Sequence, residues 1–228
     1  MTIKAVIFDL DGTLAEFNLD YKAVRAEVMQ FLVNQGFPAS VFSTNESIFE
    51  MLKKVTVYMA NNGKKEKEIA VIQKRALSIA GEHEVKAAHE TSLLPGVYET
   101  LKALKKMGLK LAIFTINGKK STHLIMDKFR LNPIFDATIT RESVLKVKPD
   151  PSHLIAALKA LKVNGDEVVV VGDSEVDMKS AKALKVKAVG IATTAEMAKE
   201  MVNAGAWQTV NSIIELPALV AKLNETQP

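Results

Sequence analysis

The sequence predicts an α/β protein with a mainly parallel sheet, helices on both of its faces and a helical insertion. Three observations predict it. Short apolar runs such as "KAVIFDL" and "EVVVVGD" recur between turn residues without alternation, as strands covered on both sides do. Longer segments of helical period separate these runs. The first two runs stand much further apart than one crossover helix requires.

Taken in order, the first strand is "KAVIFDL" (4–10). From about 17 to 92 the chain reads as helical throughout, in "YKAVRAEVMQFLVNQG", "ESIFEMLKKVTVYMANNG" and "EKEIAVIQKRALSIAGEHEVKAAHE". "LLPGV" at 93–97 closes this insertion, which divides the chain into a sheet domain of 1–16 with 93–228 and a helical domain of 17–92. Five further strands are expected in "KLAIFT" (110–115), "ATIT" (137–140), "EVVVVGD" (167–173), "KAVGI" (187–191) and "WQTV" (207–210). Helices are expected at about 96–107, 119–130, 151–162, 175–185, 194–203 and 212–223. The terminal "NETQP" reads as a frayed end.

Composition narrows the function classes. With 228 residues, 48% of them hydrophobic, the chain can bury the core of one large domain carrying an insertion. Lys and Arg number 30 against 26 Asp and Glu, a net charge of +4 without a basic block and with few aromatics, which points away from nucleic acid. The absence of cysteine excludes disulfides, a thiol nucleophile and any thiolate-bound zinc or iron–sulfur site. The N-terminus lacks the long apolar stretch and cleavage site of a signal peptide, and no apolar run approaches a membrane span, so a cytoplasmic protein with no membrane partner is expected. The sequence leaves the oligomeric state open.

The stretch "VIFDLDGTLAEF" (6–17) ends its apolar run in two carboxylates, Asp9 and Asp11. An ionised group left unpaired in a poorly hydrated place is costly, so something must compensate them. In open α/β sheets ligands bind beyond the carboxyl ends of the strands, where the strand order reverses. Thr115, Lys148 in "KVKPDP", and Asp173 with Asp177 in "VVVVGDSEVD" fall at those same ends. Acids, a base and a hydroxyl so placed are what a magnesium-dependent phosphoryl-transfer site requires. Carboxylates supply hard oxygen ligands, lysine and metal balance the phosphate charge, and one carboxylate remains as nucleophile. Gly12 and Gly172 would let the backbone turn sharply beside the site. Asn117 and Gly118 open a helix whose N–H groups could face phosphate.

Each residue also has a plainer reading: an Asp-Gly turn for Asp9 and Asp11, a helix cap for Thr115, a solvated loop lysine for Lys148, and a cap with first-turn acids for Asp173, Ser174 and Asp177. Their joint occurrence argues against that reading. Lys146 competes with Lys148 within "KVKP". The histidines His83, His89, His123 and His153 lack metal-spaced partners and read as incidental. Lys22 and Arg25, one turn apart, read first as a solvated helix face and alternatively as cations facing a second anionic group of a substrate.

"DLDGTL" (9–14), "FTIN" (114–117), "KPDP" (148–151) and "GDSEVD" (172–177) occur in the order and spacing of four motifs of the haloacid dehalogenase superfamily, which the chain resembles across its whole sheet domain. One departure is Ile116, which separates Thr115 from Asn117 where many relatives have the two adjacent. The resemblance implies a Rossmann-like core, a helical C1 cap in the insertion, and Mg²⁺. It assigns Asp9 as the nucleophile that becomes an aspartyl phosphate, and Asp11 as the acid that protonates the leaving group and then activates water. Thr115 would hydrogen-bond the transferring phosphoryl group, and Lys148 would neutralise its charge. Asp9, the Asp11 carbonyl and Asp173 would hold Mg²⁺, with Asp177 acting directly or through water.

Asp11, two residues after the nucleophile, favours a phosphomonoesterase over dehalogenase or phosphonatase relatives, and P-type ATPases carry Lys-Thr-Gly-Thr there instead. The cap implies a small phosphorylated metabolite, and the chain looks similar to phosphoglycolate phosphatase-like members. The alternatives are a phosphomutase of the β-phosphoglucomutase type and a catalytically silent binding domain.

Overall fold

Ala5, Val6, Ile7 and Phe8 have no exposed surface, and they form the strand on which the sheet is built. The computed structural model describes residues 2–16 and 18–225. In chain order, β1 (Ala5–Phe8) and the short β2 (Ala15–Glu16) precede α1 (Tyr21–Asn34), α2 (Ile48–Asn61) and α3 (Glu66–Glu90). Then follow β3 (Ser92–Leu93), α4 (Val97–Lys106), β4 (Lys110–Phe114), α5 (Lys119–Lys128), β5 (Ala137–Ile139) and α6 (Pro151–Leu161). The chain continues through β6 (Val168–Gly172), α7 (Glu175–Ala183), β7 (Lys187–Ile191), α8 (Ala195–Ala204), β8 (Gln208–Val210) and α9 (Leu216–Glu225). It divides into two compact units, Met1–Phe17 with Thr91–Pro228, and Asn18–Glu90.

The first unit carries a six-stranded sheet in the order β5-β4-β1-β6-β7-β8, every neighbouring pair parallel. Phe8 lies opposite Ile113 on one side and Val171 on the other. The residues just beyond, Asp9, Thr115 and Asp173, therefore emerge along one edge of the sheet, on both sides of the point where strand order reverses. Ile7, Phe114 and Val170 pack with Leu154 and Ala157 of α6 and Met178 and Ala181 of α7. Val6, Phe8, Leu111 and Ile113 point the other way and are equally unexposed, so both faces are covered. Each such aliphatic or aromatic side chain contributes about 1.5–3 kcal/mol by leaving water.

Helix ends in this unit are set locally. Asp150 caps α6 by accepting from Ser152 N at 2.9 Å, and Pro151 stands in its first turn. Ser174 and Asp177 close a capping box at the start of α7. The final helix begins at Leu216 rather than at 212, because Ser212 and Glu215 close a separate 3₁₀ turn over Ile213–Glu215. Asn224 and Glu225, expected to fray, belong to that helix, while Phe17 and residues 226–228 lie outside the described residues.

The second unit has its own core of Val28 and Leu32 from α1, Met51, Leu52, Val55 and Met59 from α2, and Ile69, Ala76 and Ile79 from α3, closed by Phe37 and Phe42. Asp20 caps α1, and Ser47 with Glu50 forms the capping box of α2. The segment is not helical throughout. Gly36, at φ +90°, ends α1 in a conformation that favours glycine, and Pro38 leads into a single 3₁₀ turn at Ala39–Val41. Arg25 donates to Thr44 O at 3.5 Å, and its guanidinium lies 6.0 Å from the Tyr21 ring. Among the described residues no helix is long and apolar enough to cross a membrane.

Two short strands join the segments on either side of the helices. Ala15 and Glu16 pair antiparallel with Leu93 and Ser92. Thr91 Oγ1 donates to Glu16 O at 2.5 Å, and Lys128 Nζ donates to Thr91 O at 2.7 Å.

Candidate active site

Asp9 follows β1 directly, and its N–H donates to Val171 O at 2.9 Å, so the sheet ladder itself fixes this carboxylate. Lys148 reaches it from the loop before α6. Its ammonium donates to Asp9 Oδ1 at 2.6 Å and to Asp177 Oδ1 at 2.7 Å, and lies 4.3 Å from the centre of the Phe114 ring. Asp9, Lys148 and Asp177 are all buried. Lys146, the competing lysine, is exposed and stands 3.8 Å from Asp150.

Asp173 completes the group. One carboxylate oxygen from each of Asp9, Asp173 and Asp177 lies within 4.8 Å of the others. Asp11 turns elsewhere: its Oδ1 accepts from Asn117 Nδ2 at 2.9 Å. Asp9 and Asp11, one residue apart in sequence, thus occupy different surroundings. Asp9 faces an ammonium and the neighbouring acids, and one oxygen of Asp11 accepts from a neutral amide.

Glycines make this approach possible. Gly12 has φ +70°, and a Cβ there would lie 1.9 Å from Asp173 Oδ2. A Cβ on Gly172 would lie 2.5 Å from Asp177 Cγ. Ser174 Oγ donates to Asp177 Oδ2, and Thr13 Oγ1 donates to Asp173 Oδ1 at 3.4 Å.

The electrostatics follow from three acids converging on one lysine. Burial pushes Asp9 well above the usual carboxylate range; Lys148 opposes this, and the charges of Asp177, Asp11 and Asp173 add to it. Burial, then Asp177, raises Asp173 to about 6. Burial alone would lower the Lys148 ammonium, but Asp177 and Asp9 reverse that and hold it above its ordinary value. A close set of hard, negatively charged oxygens with one positive neighbour suits a divalent oxygen-seeking cation.

Thr115 is buried at the end of β4, its N–H on Ile139 O at 2.9 Å, its Oγ1 accepting from Asn117 N at 3.1 Å. Gly118 precedes α5. One first-turn amide of that helix, Lys119 N, is taken by Glu142 Oε2 at 2.9 Å. Asn117, expected on the phosphate, commits its side-chain amide to Asp11. Ser174 was expected as part of a helix cap and forms one with Asp177, whereas Thr13 had no sequence signal of its own. Thr13 lies inside a recognised motif, yet nothing in its type says that it holds Asp173.

The sequence matches the family model described as haloacid dehalogenase-like hydrolase over residues 6–191. A phosphoglycolate phosphatase of Pseudomonas syringae pv. tomato is 30% identical over 190 residues, covering 82% of this chain and 69% of that one. Pyrophosphatase PpaX of Bacillus velezensis is 27% identical over 213 residues, covering 87% of this chain and 88% of its own. The crystal structure of a hydrolase from Pseudomonas syringae shares the fold, with a TM-score of 0.64 and 24% identity over 99% of this chain and 100% of that one.

Proposed function

Because the chain belongs to the haloacid dehalogenase-like hydrolase family, we propose that it is a Mg²⁺-dependent phosphatase of a small phosphorylated metabolite, working through an aspartyl phosphate on Asp9. The observation that carries this reading is that each of the two carboxylates accepts from a different kind of donor. Asp9 Oδ1 accepts from the Lys148 ammonium at 2.6 Å, while Asp11 Oδ1 accepts from the neutral Asn117 amide at 2.9 Å. Two carboxylates in unlike surroundings can take unlike roles, one attacking and one moving a proton.

Asp9, Asp173 and Asp177 would hold the metal ion. When bound, the ion neutralises charge on the phosphoryl oxygens and on the carboxylates around it. The remaining work belongs to the chain. An Asp9 oxygen attacks phosphorus, the bond from phosphorus to the ester oxygen breaks, and Asp11 gives that oxygen its proton. Thr115 donates to the transferring group, and Lys148 balances its charge while keeping Asp9 aimed. Asp11 then takes a proton from water, whose oxygen attacks phosphorus and releases Asp9.

Phosphoglycolate is the favoured substrate, since relatives that are phosphoglycolate phosphatases match most of the chain. A pyrophosphate substrate is the second reading, supported by the more even coverage of PpaX. The test is phosphate release with Mg²⁺ from a panel including phosphoglycolate, pyrophosphate and sugar phosphates, on wild type and Asp9→Asn. Turnover that vanishes in the variant supports the reading, and the best substrate chooses between the two. Turnover that survives Asp9→Asn overturns the covalent step.

A further inference from the structure

His153 has no exposed surface and lies in the first turn of α6, five residues after Lys148. Its ring turns back across the start of the helix. Nδ1 faces the Lys148 N–H at 3.3 Å, and Nε2 faces Ile139 O at 3.4 Å. The first contact needs a lone pair and the second needs a proton, so the two together select one neutral tautomer, with hydrogen on Nε2. The ring also packs on Phe114, with centroids 5.7 Å apart. Phe114 is the same ring that the Lys148 ammonium lies over.

Lys148 is thus located at two points. Asp9, Asp177 and Phe114 surround its ammonium, and one histidine takes its backbone N–H while tying that loop to the end of β5. We propose that His153 is a positioning residue that sets the Lys148 ammonium between Asp9 and Asp177, acting through the Lys148 backbone in its neutral Nε2–H form. This rests on the reading that Lys148 serves phosphoryl transfer. Burial first, and then the charge of Lys148, bring the His153 pKa down to about 4, in keeping with a neutral ring. A protonated ring would set two N–H groups against each other at Nδ1.

The distinction from ordinary core packing is chemical. A leucine fills much the same volume without an acceptor, an asparagine puts an oxygen near the place of Nδ1, and a glutamine reaches toward the place of Nε2. With the substrate found from the panel, His153→Leu is expected to lower kcat by about 10- to 100-fold, the scale of an ångström-sized misplacement, with KM changed by less than about twofold. His153→Asn is expected to recover at least about tenfold of that loss, and His153→Gln is not.

An independent readout is nitrogen-15 NMR of the full chain at pH 7. It should show His153 as the Nε2–H tautomer and a slowly exchanging Lys148 ammonium signal, which His153→Leu loses and His153→Asn keeps. An Nδ1–H tautomer, or an ammonium signal indifferent to His153→Leu, overturns the proposal. Equal kcat for wild type and the leucine variant does so as well. If the leucine variant does not fold, asparagine performing no better than glutamine is the overturning result. Wild type that turns over no ester rejects the phosphatase reading, and the ammonium signal still decides the role of His153.

Discussion

Gly172→Ala tests whether the Asp177 carboxylate must sit where it does. Gly172 ends β6, and an added Cβ would lie 2.5 Å from both Asp177 Cγ and Oδ2. Ordinary contact begins at 3.4 Å, so Asp177 must retreat by about 1 Å, and the capping box it forms with Ser174 resists that movement. The 2.7 Å bond to Lys148 then stretches to roughly 3.7 Å, beyond hydrogen-bond range. Breaking a buried ion pair outright costs about 3–5 kcal/mol. Lys148 keeps Asp9, so about 2–3 kcal/mol is expected, or a fall in Tm of roughly 4–12 °C. Turnover should fall about 100-fold, because the lysine is misplaced.

The control is built into the sheet. Gly190 pairs with Gly172 in register, but a Cβ there meets the Met201 side chain at 3.0–3.1 Å, a flexible neighbour that can shift. Gly190→Ala should cost about 1–2 kcal/mol and leave turnover within about twofold. Thermal melts and steady-state phosphate release on both variants decide the matter. If both melt alike and Gly172→Ala keeps full turnover, the reasoning about Asp177 fails.

Two further outcomes are expected. Mg²⁺ at about 100 times its Kd should stabilise wild type by about 2.7 kcal/mol, raising Tm by roughly 5–11 °C. Asp173→Asn should abolish the shift, and a wild-type melt unmoved by Mg²⁺ would count against the metal site. Away from the site, Asp136 accepts from Lys105 Nζ at 2.9 Å and Leu111 N at 2.7 Å. Burial alone would raise its pKa, but these two donors hold it below the ordinary aspartate value. Its contribution is therefore present above about pH 4 and lost as pH falls through the lowered folded value. Asp136→Asn should melt below wild type at pH 7, with the gap closing toward pH 3; an unchanged gap at pH 3 would exclude this origin.

The inner strands of the sheet were legible because they are covered on both faces, so they read as apolar runs. Val168–Gly172 and Lys110–Phe114 fall inside the expected ranges for that reason. Ala15–Glu16 and Ser92–Leu93 could not be read, since a two-residue strand has no period and exists through its pairing with a distant segment. At the site, residue types and strand-end positions pointed to Asp9, Lys148, Asp173 and Asp177. The commitment of Asn117 to Asp11 and of His153 to the Lys148 backbone was not legible. An amide can donate to phosphate or to carboxylate, and a buried histidine in a helix resembles any other; the choice is made by contacts between residues far apart in sequence.

Asp9, Asp11, Thr115, Lys148, Asp173 and Asp177 all lie in the sheet unit, which the chain leaves and re-enters through paired neighbours, whereas Lys22 and Arg25 lie on α1. At that doorway, Glu16 faces Ser92 across a single strand spacing of about 5 Å. An inserted segment with its two ends held that close imposes no stretch on its host, whatever its length. The chain can lengthen, shorten or exchange what lies between 17 and 91 without shifting a carboxylate. The candidate site can therefore stay as it is while the inserted segment changes.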